Sequence, residues 1–268
     1  PGLVLWQYLF TRGLVIFFLL NIYLFFDEGI EFYKNYLRIG IAGIIGGVGL
    51  GTAMITFIWS ITNTSVAITL LCLSAMPFIT ALLGFLFLKE KIRPSVWVAI
   101  FVASIGVVIM AFDSVSIGSL NGLIYGLASA LGFSIFSVSL RWKKETPKFT
   151  TVAVAGLFCC LFSVAILIQK DLNFLSSSKN QGLFALHGTL VCLGLILYSI
   201  GSKIIPAAEL TLLSTTEIIG GIFWVWIPIL GINEIPSTNT IIGGFFIFMS
   251  IIYYSLVIKH NRRFIGLT

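Results

Sequence analysis

Charge is scarce in this chain: Asp, Glu, Lys and Arg make up 10% of its 268 residues, against about 25% in a typical soluble domain. So few polar side chains cannot cover a globular surface in water. With 58% hydrophobic residues and a mean hydropathy of +1.08, much of the surface must face lipid. Histidine is limited to His187 and His260, and only His187 lies in an apolar run, so a metal site lacks its ligands. The four cysteines (Cys72, Cys159, Cys160, Cys192) all fall inside apolar runs without metal-ligand spacing and read as small core residues. Long polar linkers are absent too, which excludes separate soluble domains. The net charge of +6 does not form the basic stripe of a nucleic-acid binder, because the basic residues sit in short loops between apolar runs.

What is present is a series of apolar runs, each near the roughly 20 residues that a spanning helix needs. Nine are expected, at 3–25, 38–58, 65–88, 95–112, 119–140, 150–169, 182–201, 207–230 and 238–258. The connections between them are short and polar, the first being "DEGIEFYKNY". Lys and Arg alternate from one connection to the next. One side holds thirteen of them, including Lys34, Arg141, Lys148, Lys203 and Arg262, and the other holds only Lys170 and Lys179. This asymmetry puts the C-terminus in the cytoplasm by the positive-inside rule. Nine spans then place Pro1 outside, with no basic leader or signal peptide to translocate it, so an additional opening helix is expected before it.

An internal repeat accompanies these spans. "WSITNTSVAITLLCLSAMPF" (59–78) resembles "YSIGSKIIPAAELTLLSTTEII" (198–219), with Trp59-Ser60-Ile61 answering Tyr198-Ser199-Ile200 and Thr69-Leu70-Leu71 answering Thr211-Leu212-Leu213. The loop after the first copy is basic and that after the second is not, so the copies are expected in opposite orientations. Inverted repeats are a mark of secondary transporters, whose substrate site lies near the midplane at the repeat interface. The fold class expected is therefore an all-α polytopic bundle with an inverted five-plus-five repeat, its first helix missing. Residues 1–115 form the first half and 116–268 the second.

In order and spacing, these segments resemble an EamA-type permease of the drug/metabolite transporter superfamily. "PGLVLWQYLFTRG" is similar to that family's second helix with its arginine, here Arg12. "SVAITLLCLSAMPFITALLGFLFLKEK" is similar to the fourth, with Pro77 and Glu90, and "NGLIYGLASALGFSIFSVSLR" to the sixth. "AAELTLLSTTEIIGGIFWVW" is similar to the ninth, where Ile218 stands in place of the family's proline. Glu234 also follows its Thr-Leu-Leu two residues later than Glu90 does. The resemblance implies a ten-helix carrier in a bacterial inner membrane, of a kind that often exports amino acids or other small metabolites. It implies no cofactor. The expected partners are a small-molecule substrate, the bilayer and a second copy of the chain in a homodimer.

Among candidate site residues Glu217 comes first. It lies about ten residues into its span, roughly 15 Å deep at 1.5 Å per residue, where a charge costs about 3 kcal/mol or more. Helical spacing sets Leu210, Ser214, Glu217, Gly221 and Trp224 on one stripe. That mixture suits a cavity wall, in which a few polar groups among apolar ones fix a ligand. The alternative is a carboxylate that ties helices together. Glu209, near its helix start, reads as a complement to the macrodipole. Arg12 is a structural candidate, either paired with Glu217 or bonded to carbonyls and snorkelling. His187 is either a proton-coupling group or a packed helix residue. Tyr125, Ser129, Gly132 and Phe136 form another stripe, and Met54 and Trp59 mark a further helix that the resemblance places beside the cavity. Gly43, Gly47 and Gly51, like Gly122 and Gly126, repeat at the spacing that lets helices pack closely in lipid. Pro77 removes a backbone donor and bends its helix, as a hinge or as a static kink.

A carrier is the leading reading. A membrane-embedded enzyme would need a nucleophile with a base, paired carboxylates or a metal cluster, and a channel would need charge rings or a filter sequence. Nucleotide sugars and phosphate esters would require several deep cations, and only Arg12 is deep. One carboxylate among aromatics fits an amino acid, or an amine or aromatic metabolite, better. For topology, single-cysteine variants on intact cells should react with impermeant reagent at position 175 and not at 144. The reverse pattern would overturn the orientation.

Overall fold

Backbone in hydrocarbon must satisfy its own hydrogen bonds, and a helix does so within one segment. The computed structural model describes residues 2–64, 66–90, 92–111, 120–143, 145–217, 220 and 238–264, and among these no strand occurs. In chain order, α1 (Gly2–Glu28) leads through a 3-10 turn at Gly29–Phe32 into α2 (Tyr33–Arg38) and then α3 (Gly40–Asn63). Next come α4 (Val66–Leu73), α5 (Met76–Leu83) with a π-helical turn at Gly84–Leu88, and α6 (Pro94–Ala111). They are followed by α7 (Leu120–Trp142), α8 (Lys148–Gln169), α9 (Ser178–Gly201), α10 (Ala207–Ser214) and α11 (Thr238–Phe264). Five stretches among the described residues are long and apolar enough to span a bilayer, at Val4–Arg38 and in α3, α7, α8 and α9. Large apolar side chains such as Phe18, Phe101, Leu161, Leu197 and Phe245 are exposed along these helices and α6 and α11. The protein is a multi-pass membrane helical bundle.

Three expected boundaries differ. The polar first connection is not a loop: the 3-10 turn and α2 carry helical backbone across it. The run at 65–88 is two helices, broken at Ser74–Ala75. The run beginning at 207 breaks at Thr215, and its continuation to 230 lies largely outside the described residues.

The chain divides into two compact units, one of residues 1–58 and 131–207, the other of residues 59–130 and 208–268. Each draws on both sequential halves. In the first unit α1 lies against α8 and α9. A methyl group at Gly13 would sit 2.6 Å from the Gly156 carbonyl oxygen and 2.7 Å from the Cys160 nitrogen, and one at Gly156 would sit 2.8 Å from the Gly13 oxygen. On its other side α8 meets α3, where Gly43, Gly47 and Gly51 face Thr151, Val154, Ala155 and Phe158. The glycine spacing read from the sequence thus marks a helix seam. All four cysteines are buried and free.

In the second unit α6 runs beside α11. Val96, Ala99, Ile100 and Ala103 of α6 pack with Leu212 of α10 and Tyr254 of α11 as one buried cluster. Gly106 marks the closest approach, since a Cβ there would meet the Gly243 oxygen at 2.5 Å. Ser60 joins three segments of this unit: its hydroxyl is 2.8 Å from that of Thr69 and donates to the Gly122 carbonyl at 2.9 Å.

The α1–α8 seam generates a test. Gly13→Ala should lower the melting temperature in detergent, because backbone must move to admit the methyl group, at a cost of about 1–3 kcal/mol. Gly182→Ala, where nothing lies within 4 Å, should leave stability unchanged or raise it through helix propensity. Equal melting temperatures for wild type and Gly13→Ala would show that the seam is loose.

Candidate functional site

The two repeat segments share a structural feature, a helix interrupted just beyond Thr-Leu-Leu. In the first, α4 stops at Leu73, and the Ala75 N–H turns to the Cys72 carbonyl at 3.1 Å. The helix resumes with Pro77 in the first turn of α5 and Ile79 N–H on Ala75 O at 2.9 Å. Proline supplies no N–H for the carbonyl four residues back, so the chain breaks there and restarts where the missing donor is harmless. In the second, no proline stands at the break. The α10 segment ends at Ser214, and Thr215 sends both its N–H (3.1 Å) and its hydroxyl (2.7 Å) to the Leu212 carbonyl. The hydroxyls of Ser214 and Thr216 likewise donate to Leu210 O (3.1 Å) and Leu213 O (2.8 Å). Side-chain back-bonding of this kind competes with the helix ladder.

The break changes the expected stripe. Leu210 is buried, Ser214 half-buried and Glu217, beyond the break, solvent-accessible. One continuous helical face therefore does not hold them, because the register is interrupted at Thr215. Gly221 and Trp224 lie outside the described residues. Glu209 is in the first turn of α10 and accepts a 2.5 Å hydrogen bond from the Tyr254 hydroxyl of α11. Its carboxylate thus ties two helices as well as facing the macrodipole. Trp59 and Tyr125 lie ring to ring, 6.2 Å between centroids. Ser129 is buried, as is Phe136, and Gly132 meets Gly49, so most of that stripe is core. Met54 is buried in the first unit.

Arg12 and His187 also belong to the first unit, apart in the chain's division from Glu217. Arg12 is 8% exposed and donates through Nη1 to the Tyr8 hydroxyl at 3.3 Å, while that hydroxyl lies 2.8 Å from His187 Nδ1. The Arg12 Nε has no hydrogen-bond partner among the described residues. One turn nearer the start of α1, Gln7 donates to the Asn173 and Leu175 carbonyls, and Gln181 donates to Thr11 Oγ1 at 2.7 Å. These contacts fix the 170–181 connection to residues 7–11 of α1. Among the described residues no group of three His, Cys, Asp or Glu side chains is placed to hold a metal.

Residues 3–112 match the profile of the EamA-like transporter family. Over those residues the chain is similar to that family. The uncharacterized transporter YwfM of Bacillus subtilis is 23% identical over 195 residues, which cover 71% of this chain and 60% of that protein. An uncharacterized transporter of Helicobacter pylori is 28% identical, over 59% of this chain and 53% of its own length. The chain thus spans little more than half the length of these two relatives. RarD of Salmonella typhi is 23% identical over 82% of the chain and 73% of its own. A solved crystal structure aligns with a TM-score of 0.73 at 18% identity, covering 97% of this chain and 89% of that one, a likeness of fold.

The packing of the helices explains which polar residues sequence reasoning missed. Tyr8 was legible as the i–4 neighbour of Arg12 on one helix face, but its bond to His187 needs α9 to be placed. Tyr198 was matched only as a repeat position; in the fold its hydroxyl meets Ser137 at 2.5 Å, and its ring packs on Phe133 and Phe136. Tyr254 gave no signal beyond an aromatic pair near the chain's end. Tyr254→Phe should lower the melting temperature, since a hydrogen bond to a charged acceptor contributes about 1.5–3 kcal/mol. Glu209→Gln should cost less when combined with Tyr254→Phe than it does in wild type, and strict additivity would show that the two groups do not interact.

Proposed function

We propose that this EamA-like protein is a secondary-active carrier that moves an amino acid, or a related amine or aromatic metabolite, by alternating access, in the direction of export. The observation that carries this reading is the pair of interrupted helices at matching repeat positions, with Glu217 just past the second interruption. Interrupted spans leave backbone groups unpaired by the helix, and such backbone is tolerated in a membrane where protein or a water-filled cavity supplies partners. Corresponding broken segments in two halves are the pointer to a carrier's binding site.

Glu217 supports the substrate class. A carboxylate exposed on a span faces either lipid or water, and the cost of the first favours the second. An anionic acceptor at such a site suits a primary amine, and the nearby Ser214 hydroxyl is already bonded to its own helix. The aromatic pair Trp59–Tyr125 belongs to the same compact unit and offers ring surface to an apolar side chain. Export is proposed on the family resemblance.

The test is counterflow of labelled amino acids into proteoliposomes, with Glu217→Gln measured on the same batch as wild type. Loss of a charge-assisted hydrogen bond of about 1.5–3 kcal/mol predicts roughly 10- to 100-fold weaker apparent affinity for the amine substrate. The melting temperature should hold, because among the described residues the carboxylate makes no hydrogen bond for the near-isosteric amide to break. Unchanged counterflow by Glu217→Gln would remove Glu217 from the site, and a fall in stability before transport would make it structural.

A further inference from the structure

A second polar site lies in the first compact unit, at the opposite end of α1 from the Gln7 contacts. It is a cavity of about 590 Å³ among the C-terminal end of α1, the α7–α8 connection and the turn after α9. Its lining carries charge of both signs, Arg141, Lys148 and Lys203 against Asp27 and Glu28. Among the described residues neither Lys148 nor Lys203 is in ion-pair contact with either carboxylate.

The protein's own bonds use up only part of this set. Arg141 spends two of its five N–H donors, since Nη1 donates to the Ser202 and Ile205 carbonyls at 2.9 and 2.8 Å and so closes the turn after α9. Lys148 spends one donor on Ser202 Oγ at 3.2 Å, leaving two of the three an ammonium has. Lys203 is held over the Phe149 ring, 5.7 Å from its centroid, which positions its charge without consuming a donor. On the other side Glu28 accepts from Asn35 at 2.6 Å, and Asp27 accepts no hydrogen bond among the described residues. Two ammonium groups and two carboxylates thus border a space that the protein leaves unfilled.

We propose that this cavity binds a small zwitterion, with its phosphate or carboxylate on Lys148 and Lys203 and its primary ammonium on Asp27 and Glu28. A purely anionic ligand would be repelled by the two carboxylates, and a simple amine by the three cations. A molecule carrying both charges satisfies both walls. The site is separate from Glu217 and does not rest on the carrier reading. The same chemistry occurs in a free phosphorylated amine and in the headgroup of an ethanolamine phospholipid.

The experiment uses the whole protein, purified without phosphatidylethanolamine. Binding of O-phosphoethanolamine is compared by calorimetry with that of inorganic phosphate, ethanolamine and phosphocholine. Wild type should bind phosphoethanolamine about tenfold or more tightly than any of the other three, because charge-assisted bonds form at both ends. Asp27→Asn with Glu28→Gln should abolish that preference, while Lys148→Gln with Lys203→Gln should remove binding. The wild-type ligand comparison needs no variant and stands if a variant fails to fold. Native mass spectrometry from nanodiscs of phosphatidylethanolamine with phosphatidylcholine separates the sources. Selective retention of the ethanolamine lipid, lost in Asp27→Asn with Glu28→Gln, assigns the site to a headgroup, and binding of the soluble compound alone assigns it to a free metabolite. Absence of both, or phosphate binding as well as phosphoethanolamine, overturns the proposal.

Discussion

Hydrogen-bonding of the backbone without water is the constraint on which the rest of this structure depends. Lipid offers no partner to an N–H or C=O, so chain within it is helical, and an interruption requires replacement partners nearby. Both interruptions meet that demand locally. At Ser74–Ala75 a tight turn returns the Ala75 N–H to Cys72, and at Thr215 backbone and hydroxyl converge on one carbonyl of Leu212. The same solvent gives helices little hydrophobic reason to associate, because lipid tails are as apolar as leucine. Association then depends on contact area and close approach. Gly13 against Gly156 and Gly106 against Gly243 bring backbones within reach of each other, and any side chain larger than hydrogen would part them.

The helices and most of their ends were legible in the sequence, because span length and apolar composition are fixed by bilayer thickness. A bend at Pro77 was legible for an equally direct reason, the missing donor, although one continuous span was expected there. The break at Thr215 was not. Ser214, Thr215 and Thr216 each bond a carbonyl three or four residues back, and hydroxyl residues in an apolar run also occur in unbroken helices. Composition misled at 29–38, where a polar connection suggested loop and the backbone is helical. Helix formation there depends on neighbours that hydropathy does not see, including the Lys34–Glu31 ion pair and Asn35 on Glu28.

Side-chain partners were the least legible layer. Glu209 could be placed at a helix start from sequence, yet Tyr254 lies 45 residues away and on another helix. Arg12 was visible as a deep cation, whereas the hydroxyl and imidazole beside it come from α1 and α9 together. Spacing arguments reach only along one helix, about four residues at a time. Contacts between elements depend on rotation and tilt, which glycine seams set and periodicity does not encode.

Loop charges show what is lost when residues are read for one purpose. Arg141, Lys148 and Lys203 entered the sequence reading only as contributors to topology, and Asp27 and Glu28 only as part of a polar connection. In the fold Arg141 closes the turn after α9 through two carbonyls. Lys148 and Lys203 keep donors beside the cavity there, whose lining also carries Asp27 and Glu28. Positive charge that orients a helix in the membrane can therefore also serve recognition at the membrane's edge. The two uses make different demands: orientation depends on how many cations a connection holds, while recognition depends on which of them keep donors to spare.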